Sequence, residues 1–150
     1  LSGSLTHAPN KVLRSVLIDL GAGTLPSAAS TWPIGLGQSS DKPDNAIVIF
    51  NTTGKNEGRR QNDGQMQERY GVQILVRSGS EAVGYAKANE IAVLLDESTE
   101  NVSNITIDSS NYTIYGVDRT GTINPLGKNE PVSNRNHFTI NATIALRQFA

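Results

Sequence analysis

The chain has 150 residues, 37% of them hydrophobic and 18% charged, so it can bury the core of one domain and is too apolar to be wholly disordered. Thirteen Lys and Arg against fourteen Asp and Glu leave a net charge of -1, which removes the global attraction that drives non-specific nucleic-acid binding. There is no cysteine, and this excludes disulfides and thiolate metal sites.

The first residues lack the basic patch, apolar stretch and small-residue cleavage site of a signal peptide. The longest apolar runs, such as residues 46–50, are far too short to span a bilayer, so a soluble chain is expected.

Pro9 opens the first periodic segment. Val12, Leu13, Val16, Leu17 and Leu20 share one helical stripe that stops before Gly21, which predicts a helix. Residues 22–45 hold the breakers Gly23, Pro26, Pro33 and Pro43 and read as a long irregular connection containing Trp32. Residues 46–50 are a short β-branched run. Residues 68–78 alternate, with Tyr70, Val72, Ile74 and Val76 on one face, and the two strands are expected to pair. Between them, residues 53–65 are polar, punctuated by glycine and without period, which predicts a mobile hairpin arm projecting from the body.

Ser80 is a fitting N-cap for a second helix over residues 81–96, which carries Val83, Ala86, Ile91, Val93, Leu94 and Leu95. Residues 102–108 and 111–118 are rich in Thr and Ile and predict a hairpin turning at Ser109 and Ser110. A connection over residues 121–133 then leads to a closing strand over residues 137–147, with Phe138, Ile140, Ala142, Ile144 and Leu146 facing inward. The order is helix, two strands, helix, three strands, without the repeated β-α-β alternation of a parallel doubly wound sheet. The expected fold is therefore α+β: one domain over residues 1–150, an antiparallel or mixed sheet with both helices packed on one face.

Chemistry is sparse. His7 and His137 have no second His or carboxylate at helical spacing and read as exposed polar positions. The glycine pairs Gly21/Gly23 and Gly35/Gly37 do not sit between a strand and a helix N-terminus, as a phosphate cradle would. Asp96, Glu97 and Glu100 read as a solvated helix end. No serine lies in a Gly-x-Ser-x-Gly turn. The expectation is a non-enzymatic protein with no cofactor and no metal.

Three stretches carry a likeness: Gly84-Tyr85-Ala86-Lys87-Ala88-Asn89-Glu90-Ile91-Ala92-Val93-Leu94-Leu95-Asp96, then Pro125-Leu126-Gly127-Lys128-Asn129-Glu130, then Arg135-Asn136-His137-Phe138-Thr139-Ile140-Asn141. Together they resemble the tail-terminator or minor capsid (neck) proteins of tailed phages. The resemblance implies a structural virion protein, assembled in the host bacterial cytoplasm, that forms a homohexameric ring. Such a ring caps the growing tail tube, docks to the head-completion (connector) proteins of the neck, and lets DNA pass through its lumen without specific binding.

A closed ring needs two different contact faces on one subunit. The arm supplies one, with Lys55, Arg59 and Arg60 and, at its base, Met66. The connection over residues 121–133 supplies the other, with Pro125, Leu126 and Lys128, joined by Arg135 at the mouth of the last strand. Two other readings stand beside this one: a head-completion stopper of the same neck, and a small ligand-binding domain with Trp32 near its pocket.

Overall fold

The computed structural model of the chain describes residues 5–26, 31–38, 44–59, 66–98, 103–128 and 135–149. Helix α1 (Pro9–Asp19) is followed by strands β1 (Ile34–Leu36), β2 (Ala46–Arg59) and β3 (Met66–Ser78). Helix α2 (Glu81–Ser98) comes next, then β4 (Ser103–Ile107), β5 (Ser110–Arg119), β6 (Asn124–Lys128) and β7 (Asn136–Phe149). The strands form one sheet in the order β1-β2-β3-β7-β5-β4, with β6 also paired to β7. β1 runs parallel to β2 and every other pairing is antiparallel, so the sheet is mixed.

β7 organises the sheet. β3 pairs along one of its edges from Asn136 to Ala145, while β6 and then β5 follow each other along the opposite edge. The period-2 pattern of these strands puts Ile49, Ile74 and Ile140 in one row across β2, β3 and β7, all fully buried. Val76 and Phe138 form the next pair, and a separate row runs from Tyr70 through Ile144 to Val117 on β5. Onto this face α1 places Val12, Leu13, Val16 and Leu17, and α2 places Ala88, Ile91, Ala92 and Leu95. Each of the larger side chains contributes about 1.5–3 kcal/mol by leaving water.

α2 comes close to the sheet because Gly84 has no side chain. A Cβ there would stand 2.8 Å from the Phe138 ring and 3.1 Å from the Ser78 Cβ. The next residue, Tyr85, meets Phe138 edge-on at 6.0 Å between ring centroids. α1 packs on β1, β2 and β3 and also touches β4, the far end of the strand order, so the sheet curls around it. Twist and the irregularity of β5 between Ile114 and Gly116 supply that curl.

Both helices lie where their periodicity places them, with Ser80 Oγ accepting the Val83 N–H at the start of α2. Several expectations need correction. The connection over residues 22–45 contains β1, and the connection over residues 121–133 contains β6; each is too short to show a period and exists because a neighbouring strand offers an edge. The tight hairpin turns one residue earlier than expected. Asp108 and Ser109, with φ of 48° and 69°, join Ile107 to Ser110 in the two-residue turn whose twist suits a hairpin. Of the predicted arm, residues 53–59 belong to β2 and strand pairing continues out to Arg59 opposite Met66, while residues 60–65 lie outside the described residues.

His7 is not an exposed polar position. Its Nδ1 faces the Tyr112 hydroxyl and its Nε2 lies 3.3 Å from Asp108 Oδ2, with the side chain 10% exposed. Thr6 and Gln148 exchange two hydrogen bonds beside it, so the N-terminal segment is fastened to the ends of β5 and β7. Asp96 is likewise more than a solvated helix end, since Arg119 grips it.

Candidate assembly surface

The pairing of β2 with β3 outlasts the rest of the sheet. The last β3–β7 pair is Arg69 with Ala145, and residues 66–68 continue with β2 as their one described partner. This two-stranded ribbon leaves the sheet at a register shift between Thr52 and Lys55, followed by a second between Asn56 and Gly58. Bulges bend and twist a strand pair, so they set the direction in which the ribbon departs.

Two glycines permit the first shift. A Cβ on Gly71 would meet the Thr53 carbonyl oxygen at 2.6 Å, and one on Gly54 would press on the backbone of Arg69 and Gly71. Within the ribbon Lys55 stands opposite Arg69 and Arg59 opposite Met66, so the structure brings these sequence-predicted residues onto one element. Arg60 lies outside the described residues.

The second predicted set also gathers in one place. Pro125 pairs with Phe138 and Lys128 with Asn136, with Leu126 at the irregularity between Pro125 and Gly127, so these residues belong to a strand rather than a loop. Arg135, immediately before β7, is committed within the chain: its Nε and one terminal guanidinium nitrogen hold Asp44 Oδ1 at 3.1 and 3.0 Å. Arg77 Nε donates to the backbone carbonyl of the same Asp44 at 3.1 Å. Arg135 therefore fastens the start of β7 to the start of β2. The two sets stand at opposite ends of the β3–β7 ladder, Asn136 marking one end and Ala145 the other, which is roughly 30 Å of strand.

The sheet face turned away from the helices carries several hydrogen bonds between polar side chains. Thr113 Oγ1 donates to Asn104 Oδ1 at 2.8 Å, Thr106 Oγ1 to Asn111 Oδ1 at 2.7 Å, and Gln73 Nε2 to Asn141 Oδ1 at 3.1 Å. Arg69 is balanced by Asp118 at 3.6 Å.

Trp32 anchors its segment to the core. It adopts a φ of 52°, unusual for a bulky residue, while its ring packs on the core and carries the Lys87 ammonium at 5.4 Å from the ring centroid. Among the described residues no group of three or more His, Asp and Glu is placed to hold a metal, and no helix is long and apolar enough to cross a membrane.

Two surface features escaped the sequence reading. Val83, Tyr85 and Val93 are exposed although α2 buries its opposite side, so this helix is apolar around most of its circumference. The sequence did hold that signal, because apolar residues of α2 occur on more than one face. The second feature is a groove lined by Arg14, Pro26, Pro33, Gly35, Leu36, Gln38 and Ala46, for which no local pattern exists.

Comparison with known proteins adds one finding. A family model described as bacteriophage tail terminator protein matches residues 16–148, from within α1 to near the end of β7. No curated protein matches the chain.

Proposed function

Since the chain belongs to the bacteriophage tail terminator family and is thereby a structural protein of the virion tail, we propose that it assembles into a homohexameric ring. The ring caps the tail tube and joins it to the head-completion (connector) proteins of the neck. The family match carries this reading, because it spans nearly the whole fold rather than a single element. It also favours a terminator over a head-completion stopper or a small ligand-binding domain.

The placement of the two candidate contact sets supports a ring. A head-to-tail ring joins two different faces of one subunit, and the ribbon with Lys55, Arg59 and Met66 lies far along β7 from β6 with Pro125, Leu126 and Lys128. Arg135 serves the second contact by holding the strand that β6 pairs with. The role is structural and calls for neither catalysis nor a cofactor. DNA passes through the lumen without specific binding, consistent with the net charge of -1 and the balanced Arg69–Asp118 pair.

Mass photometry of the purified protein, alone and mixed with tail tubes, tests the proposal when followed by negative-stain imaging. A ring in solution, or a monomer that becomes a ring at tube ends, is the expected result. A monomer that ignores tubes would overturn it.

A further inference from the structure

The two ends of the sheet differ. At one end β1 is closed off, since the Ile34 N–H donates to the Thr24 carbonyl at 2.9 Å and Thr24 bridges Pro33 beside it. At the other end β4 pairs with β5 alone. Its pairs follow one another from Ser103 to Ile107 without a register shift, and the strand holds no charged residue and no proline. Charge, proline and bulges are the usual guards of an exposed edge, and β4 has none of the three.

The direction of its backbone groups follows from the hairpin. A two-residue turn is closed by a hydrogen-bonded pair, here Ile107 with Ser110, and bonded pairs then alternate with non-bonded ones along the ladder. Ile105 with Tyr112 is the next bonded pair, so Asn104 and Thr106 turn their N–H and carbonyl groups away from β5. Thr106 and Asn111 bond through their side chains instead, at 2.7 Å. Among the described residues no backbone group meets those of Asn104 and Thr106, and both residues are exposed.

Backbone groups at an open edge are satisfied by an extended segment whose own edge is open. The chain carries one. β1 stops opposite Ile49, so β2 from Phe50 to Arg59 has β3 as its one described strand neighbour. In its own copy this stretch is separated from β4 by β3, β7 and β5. We infer that the open edge of β4 takes the outer edge of the β2–β3 ribbon of a second copy as an added strand, through backbone hydrogen bonds at Asn104 and Thr106. An arm that meets the end strand of the next sheet joins two different faces of one subunit, as a ring requires. The inference rests on the ring reading and names β4 as the strand that meets the arm, which leaves the surface at β6 for the tube or the neck.

Thr106→Pro tests it, because it removes an N–H that the hairpin itself does not use. Ring formation at tail-tube ends, read by mass photometry and negative stain, is expected to fall roughly tenfold or more. Thr106→Ala loses the same side-chain bond but keeps the N–H, and is expected to assemble like the wild type. Where the proline lowers the melting temperature below that of Thr106→Ala, cross-linking decides instead. The chain has no cysteine, so Thr106→Cys mixed with Thr53→Cys or Asn56→Cys and treated with a short bismaleimide is expected to join two copies across the contact. Thr106→Pro rings equal to those of the wild type, an equal loss in Thr106→Ala, or a Thr106→Cys chain that joins neither ribbon variant overturns the β4 assignment and leaves the ring reading standing. A wild-type chain that forms no ring with or without tubes overturns both.

Discussion

Arg119 holds Asp96 in a two-pronged ion pair, its Nε donating to Oδ1 and a terminal guanidinium nitrogen to Oδ2, both at 2.9 Å. The pair fastens the last turns of α2 to the end of β5. The Asp96 side chain is 53% exposed and that of Arg119 27%, so water screens much of the attraction. Replacing either by Ala is expected to cost about 0.5–1 kcal/mol. In a chain of this length that lowers the melting temperature by roughly 1–4 °C. A double-mutant cycle reads the coupling directly, and a value of zero would mean that the geometry adds nothing to stability.

Gly84→Ala sets two effects against each other. Alanine favours a helix by up to about 1 kcal/mol over glycine. Its methyl group, however, would sit 2.8 Å from the buried Phe138 ring, and overpacking of this kind costs about 1–3 kcal/mol. Net destabilisation is expected, with partial recovery when Phe138→Leu is added. A melting temperature above that of the wild type would show that α2 has room to move away.

Asn10 pins the first turn of α1 to β2. Its Nδ2 donates to the Ile49 carbonyl at 3.0 Å, and its backbone N–H donates to Asn51 Oδ1 at 2.9 Å. Asn10→Ala removes only the first bond, and the Ile49 carbonyl keeps the Gly37 N–H at 3.0 Å, so no acceptor is orphaned. The expected loss is therefore about 0.5–1.5 kcal/mol rather than the larger penalty for an unsatisfied group. It should appear as a lower urea midpoint at unchanged slope.

Arg59→Glu together with Arg60→Glu reverses two charges on the predicted arm. The variant is expected to keep the wild-type melting temperature and to fail in tail completion. Measured by complementation and by electron microscopy of the resulting particles, unaltered assembly would remove these two arginines from the interface.

The family likeness was legible in residues 84–96, 125–130 and 135–141, and the family match over residues 16–148 agrees with it. Where the candidate contact residues sit in the fold was legible only in part. The polar stretch over residues 53–65 marked an element with no core of its own, but its Gly54 read as punctuation and proves, with Gly71 of β3, to permit a close backbone approach at a bulge.

Periodicity is a local property, so the sequence by itself determined α1, α2 and the inward rows of β3 and β7, where each residue's face follows from its neighbours in the chain. β1 and β6 have only three and five residues, and a Gly or Pro in each. They are strands because Ile47 to Ile49 and Asn136 to Thr139 offer an edge, which only the folded chain can supply. The same holds for Asp96 with Arg119, 23 residues apart, and for His7 with Tyr112, 105 apart. Long-range partners are chosen by the curl of the sheet, and that curl is the sum of twist and bulges over all its strands rather than a property of any one segment.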